Sequence, residues 1–219
     1  MKHSAKQFLK QLSIIIRGVY YMDVEVNETA RKYDLQKRYT YADYVTWGEG
    51  VRCELIDGVV YDMSPAPGTI HQDISMSLAF QLRAFLDGKP CKVFHAPFDV
   101  RLNADGADDT VVQPDIVVIC DRSIIKKAGC VGAPDMVIEI LSPSTAKKDL
   151  VIKHNKYLNA GIREFWIVDP ESMIIRVFLL EDGKYSSIDY LGIDKIPVNV
   201  LEGLEIDIKR LFADHEFWL

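Results

Sequence analysis

The chain has 219 residues, 48% hydrophobic and 26% charged, and its 26 basic against 32 acidic side chains leave a net charge of −6. That composition excludes disordered and fibrous classes and describes one folded domain of generous size, which buries roughly 70% of its unfolded surface. The acidic balance also excludes a histone-like binder held to nucleic acid by bulk charge, so any phosphate contact must come from a local patch or a metal.

Residues 8–16 are apolar but interrupted by Lys10 and Gln11, lack a small-x-small cleavage site and are too short to cross a bilayer. No secretion and no membrane partner are expected, and the cytosol is the expected compartment. Met22 precedes a polar stretch over 23–38, so residues 1–38 are expected to be an N-terminal extension and residues 39–219 a single domain. Cys53, Cys91, Cys120 and Cys130 are far apart without a C-x-x-C pair, which indicates neither a zinc knuckle nor a disulfide framework. Cys120 ends an apolar run and reads as a small core residue.

In chain order, 40–47 suggests a short helix capped by Thr40, and ELIDGVVYDM over 54–63 a tight hairpin turning at Asp57-Gly58. Over 68–86, Ile70, Ile74, Leu78, Leu82 and Phe85 recur at spacings of three and four, which predicts a helix stopped by Asp87-Gly88. Alternation predicts a strand over 91–103. The runs 111–120 and 136–141 are short, β-branched and strongly apolar, as in central strands covered on both faces. A second helix is predicted over 149–160, ending at Gly161, and a buried strand over 165–168. Residues 174–180 and a β-rich tail to 208 complete an α/β order with additional antiparallel strands.

Each of the two central runs contains one carboxylate. In VVQPDIVVIC, period two groups Gln113, Asp115 and Val117; in MVIEIL, it groups Val137, Glu139 and Leu141. A charge among such aliphatics is unfavourable by several kcal/mol unless paired or metal-bound. On neighbouring strands the two would converge into one acidic pocket; alternatively each is salt-bridged or sits at an exposed strand end. The following helix puts Leu150, Lys153, His154, Tyr157 and Leu158 on one stripe, from which Lys153 can bury its stem and extend its ammonium to the strand ends. The alternative for Lys153 is a solvated flank, with Lys156 in reserve. His154 reads as packing against the sheet rather than as a ligand.

The Pro114-Asp115 pair, followed after a hairpin-length gap by Glu139-Ile140-Leu141, resembles the P-D…(D/E)-x-K signature of restriction-endonuclease-like nucleases. The longer pattern is ELIDGVVYDMSP, a His-bearing helix, QPDIVVI, VIEILSPST and D-L-x-x-K-x-x-x-Y-x-x-A-G-I-x-E-F-W-I-V-D-P. It is similar to the Uma-two family of restriction-endonuclease-like proteins, across residues 39–212. The position two beyond Glu139 is Leu141, not lysine; in this family the lysine is displaced onto the following helix, which maps to Lys153. The resemblance implies a restriction-endonuclease-like mixed central sheet flanked by helices. It also implies metal-dependent hydrolysis of phosphodiesters, with DNA as the nucleic-acid substrate, and brings Glu54 and His71 into the site. Taken alone, His71 reads equally as an exposed first-turn residue.

Asp115, Glu139, the carbonyl of Ile140 and waters make an all-oxygen shell suited to Mg²⁺ or Mn²⁺ and poor for zinc, with Glu54 as a further ligand directly or through water. Gln113 is a candidate for a metal-bound water, and Lys147, Lys148, Lys156 and Arg163 for a basic rim. On this reading Lys153→Ala lowers the nuclease rate about 10²-fold with the melting temperature nearly unchanged. Asp115→Asn or Glu139→Gln relieves repulsion between paired carboxylates. The rival reading is a catalytically idle nuclease fold kept as a binding or regulatory subunit. Phe212, Phe217 and Trp218 in the apolar tail suggest self-association as a homodimer.

Overall fold

The two carboxylate-bearing runs lie side by side in the structure. In the computed structural model, residues 33–34, 36–48, 51–63, 67–142, 148–192 and 195–213 are described. The chain divides into two compact units, Met1–Asp34 and Leu35–Leu219, and every element below belongs to the second. Chain order is α1 (Tyr41–Tyr44), β1 (Cys53–Ile56), β2 (Val59–Asp62), α2 (Thr69–Phe85), β3 (Lys92–His95), β4 (Val100–Arg101), β5 (Val111–Val112) and β6 (Ile116–Ile119). There follow β7 (Ile125–Lys126), β8 (Gly129–Val131), β9 (Met136–Ile140) and a π-helical segment, Lys148–Lys153, that runs into α3 (His154–Ala160). β10 (Glu164–Asp169), β11 (Ile174–Glu181), β12 (Lys184–Tyr190), β13 (Lys195–Pro197), β14 (Glu205–Asp207) and α4 (Ile208–Leu211) complete it.

Among the described residues the central sheet has the order β12-β11-β10-β9-β6-β3, with β9 and β10 parallel and the other neighbours antiparallel. A second mixed sheet has the order β2-β1-β5-β4-β8-β7, and β13 and β14 form a separate hairpin. The predicted turn at Asp57-Gly58 joins β1 to β2, with positive φ at both residues as a two-residue type I′ turn requires.

Alternation along β9 divides the core. Met136, Ile138 and Ile140 pack on one face with Ile74, Leu78 and Leu82 of α2 and with Ile196 and Ile206 of the small hairpin. Val137 packs on the other face with Val117, Phe165 and Ile167, with Tyr157 of α3, and with Ile56, Val100 and Val112 of the second sheet. Glu139, odd-numbered in β9, therefore belongs to the face between the central sheet, α3 and the second sheet. Each fully buried aliphatic on α2 contributes roughly 1.5–3 kcal/mol, which fixes that helix and with it His71 near its start.

The structure corrects several sequence expectations. The run 91–103 is two strands in different sheets, because Pro97 has no N–H to continue a ladder and the chain leaves the central sheet there. The run 111–120 also divides: β5 joins the second sheet and β6 the central one, so Gln113, Pro114 and Asp115 are the crossing between them. The helix expected over 149–160 is π-helical up to Lys153. Cys120 is disulfide-bonded to Cys91, because the register that pairs Lys92 with Ile119 sets these two cysteines opposite each other. Phe212 is half-buried against the core rather than exposed, which removes its part in the self-association argument; Phe217 and Trp218 lie outside the described residues. No described helix is long and apolar enough to cross a membrane.

Glu164 is fully buried at the start of β10 and accepts from Trp166 Nε1 at 2.7 Å and from the main-chain N of Val200 at 2.8 Å, which ties β10 to the loop ahead of β14. Burial pushes its carboxyl above the ordinary 4.5, and these hydrogen bonds oppose that only in part. A raised folded pKa means the native state holds the proton more tightly than the unfolded chain does. The stability from this group is thus complete below the unfolded pKa and is lost as pH rises through the folded one. Glu164→Gln, which mimics the protonated form, is expected to gain on wild type as pH rises above the ordinary carboxyl value of 4.5 and to level off once the folded carboxyl has ionised. Thermal melts across that range check it; a difference independent of pH counts against it.

Candidate active site

Glu54, Asp115, Glu139, Lys153 and His71 come from four elements and the crossing before β6, and the structure brings all five together. The β6–β9 ladder ends at the pair Ile116–Ile138, and Asp115, the residue before β6, reaches the end of β9 through its side chain. The two runs that carry the carboxylates are neighbouring strands, as their convergence would require. Asp115 Oδ2 accepts from the main-chain N of Ile140 at 2.7 Å and lies 3.2 Å from His71 Nε2. In an extended residue the N–H and C=O point to the same edge of the strand, so the Ile140 carbonyl also faces the Asp115 side.

Glu139 and Glu54 are both buried, and Lys153, 3% exposed, lies between them. Its Nζ is 2.8 Å from Glu54 Oε1 and 2.8 Å from Glu139 Oε1. Glu54 Oε1 also accepts from the main-chain N of Gln113 at 2.9 Å, and Glu139 Oε1 from Tyr157 OH at 2.5 Å. Burial and the Glu139 charge hold the Tyr157 phenol well above its ordinary range, so the hydroxyl is the donor. Formally, three carboxylates against one ammonium leave two negative charges when His71 is neutral. The side chain of Asp115, at 19% exposed, is the most accessible of the five.

The readings left open by the sequence are decided here. Lys153 is buried between Glu54 and Glu139 and not on a solvated flank, and His71 is buried against Asp115 rather than exposed. Lys156 turns the other way, into an ion pair with Asp57. His154 packs edge-on against Phe178 and Tyr185 at centroid distances of 4.8 and 5.4 Å, as expected of a residue that packs on the sheet. The Gln113 side chain donates to Asp99 Oδ1 at 2.8 Å and to Tyr44 OH, so its main chain serves the site and its amide anchors α1. Of the expected basic rim, Arg163 is paired with Asp135 and Lys156 with Asp57; Lys147 and the Lys148 side chain lie outside what is described. Tyr157 was not among the predicted site residues, although its place in the Lys153 stripe, four residues on, was the signal that could have found it.

Among the described residues no three His, Cys, Asp or Glu side chains are grouped as ready ligands for a metal. The geometry explains this: Lys153 spans two of the carboxylates and His71 covers an oxygen of the third.

A mixed sheet with acidic residues at adjoining strand ends and a lysine from the next helix defines a restriction-endonuclease-like fold. The Uma2 family profile, described as "Putative restriction endonuclease", matches residues 41–209, and the chain belongs to that family. Uncharacterized protein slr1290 of Synechocystis sp. is 27% identical over 179 residues, spanning 80% of this chain and 92% of that one. The chain is also similar to a crystal structure described as "a putative nuclease belonging to DUF820 from Anabaena variabilis". The TM-score is 0.67 and the identity 21%, over 81% of this chain and 99% of the other, which shows the shared fold.

Proposed function

We propose that this chain is a divalent-metal-dependent endonuclease that hydrolyses phosphodiester bonds, with DNA as substrate. The observation that supports the reading is the placement of Asp115 on the main-chain N of Ile140, next to Glu139 in β9, with Lys153 held at the Glu139 carboxylate. Family membership supports the nuclease class.

The donor set fits Mg²⁺ or Mn²⁺: the Asp115 and Glu139 carboxylates and a main-chain carbonyl are hard oxygens, and among the described residues no thiolate or cluster of imidazoles accompanies them to favour zinc. Asp115, Glu139 and the Ile140 carbonyl would hold the ion, and Glu54 would act through Lys153. When bound, the ion supplies positive charge at the scissile phosphate and acidifies a water. The Ile140 N–H and His71 fix the Asp115 carboxylate from two sides. Glu54 keeps the Lys153 ammonium beside Glu139, from where it faces negative charge developing on the phosphate oxygens.

The test is a titration of purified protein with Mn²⁺ and with Mg²⁺, in which cleavage of plasmid DNA and of RNA is followed on gels. Cleavage of DNA that EDTA abolishes is expected. Cleavage of RNA alone would reassign the substrate. Metal binding with no cleavage of either would favour the idle, nucleic-acid-binding reading.

A further inference from the structure

Glu139 Oε1 accepts from two donors on one helical stretch, Lys153 Nζ at 2.8 Å and Tyr157 OH at 2.5 Å. The two stand four residues apart, one helical turn, and so reach the same oxygen. They differ in charge. A divalent cation at Glu139 would weaken the bond from the ammonium but not that from the neutral hydroxyl, with Glu54 still keeping Lys153 nearby, so the tyrosine is the donor better matched to an occupied site. Its ring is fixed: Tyr157 is fully buried and meets Phe165 edge-on at a centroid distance of 5.0 Å.

We infer that Tyr157 is the positioning residue that holds Glu139 Oε1 against two-oxygen coordination by this carboxylate and so biases the site toward small ions. This inference rests on the metal-dependent reading above. One-oxygen carboxylate binding suits the tight octahedral shells of Mg²⁺ and Mn²⁺, whereas Ca²⁺ takes six to eight oxygens and readily accepts both oxygens of one carboxylate. Tyr157 therefore contributes to ion choice, not only to affinity.

Calorimetric titration of the full chain with MnCl₂ and, separately, CaCl₂ tests it in wild type, Tyr157→Phe, Glu139→Gln and the double variant. Phenylalanine keeps the packed ring. Tyr157→Phe is expected to weaken Mn²⁺ binding about tenfold, as loss of a bond that orients a ligand typically does, while Ca²⁺ affinity is unchanged or tighter. With Gln at 139 the further change to Phe is expected to leave Mn²⁺ binding where it was. Equal shifts for both ions, or none, would overturn the inference while leaving the metal site standing. If wild type binds neither ion, the metal-centred reading fails, and the hydroxyl's hold on Glu139 is judged from ion-free crystals of wild type and Tyr157→Phe. A Glu139 side chain displaced in the variant supports the positioning role, and an unmoved one overturns it.

Discussion

Lys153→Ala is expected to lower the melting temperature by roughly 6–20 °C, a larger effect on stability than on any other property that can be measured without substrate. The ammonium lies between Glu54 and Glu139, each nearly inaccessible to water. Removing it leaves two buried carboxylates with no cation between them, and deleting one partner of a buried charge pair typically costs about 3–5 kcal/mol. At about 2–4 °C per kcal/mol for a chain of this size, the shift is large. The sequence alone suggested a melting temperature nearly unchanged, with the lysine serving only the transition state. Scanning calorimetry decides the matter, with Lys153→Ala combined with Glu54→Gln as the companion. The double variant should recover part of the loss, since one uncompensated charge is gone, and saturating Mn²⁺ should recover part of it in the single variant. A melting temperature for Lys153→Ala within about 2 °C of wild type would show that the acid pair does not depend on the ammonium.

Asp115→Asn is expected to lower the cleavage rate on the order of 10³-fold and to weaken Mn²⁺ binding, with the melting temperature close to wild type. Asparagine is nearly isosteric, and its carbonyl oxygen can still accept from the Ile140 N–H that meets Asp115 Oδ2 at 2.7 Å. What it loses is the charge a cation would meet. Glu139→Gln differs: the expected relief of repulsion is offset because Glu139 is held by Lys153 and Tyr157, and the amide gives up charge-assisted bonds. That variant should lose about 1.5–3 kcal/mol. Single-turnover cleavage, Mn²⁺ calorimetry and thermal melts on both variants separate the two acids. Wild-type Mn²⁺ affinity in both would remove the proposed metal site.

The sequence singled out the candidate residues through local contrast. Asp115 and Glu139 interrupt apolar runs, and Lys153 lies on a stripe with a period of three to four. It missed Tyr157 because a tyrosine on an apolar stripe looks like core, and in its ring it is; the hydroxyl becomes informative only once Glu139 is known to lie at its tip. The Cys91–Cys120 pair was invisible for a related reason: 29 residues of separation say nothing, whereas cross-strand register says everything.

By itself, then, the amino-acid order determined which segments are buried, the α/β alternation, the turn at Asp57-Gly58, and which charged residues were out of place in apolar surroundings. Those are properties of short windows, set by periodicity and by the desolvation of individual groups. Tertiary structure alone decided that the run through Pro114 serves two sheets, that the Asp115 side chain reaches the main-chain N of Ile140 at the end of β9, and that Lys153 bridges two acids from different sheets. Each of these depends on which strands become neighbours and in what register, a choice made by packing both core faces at once rather than by any local pattern.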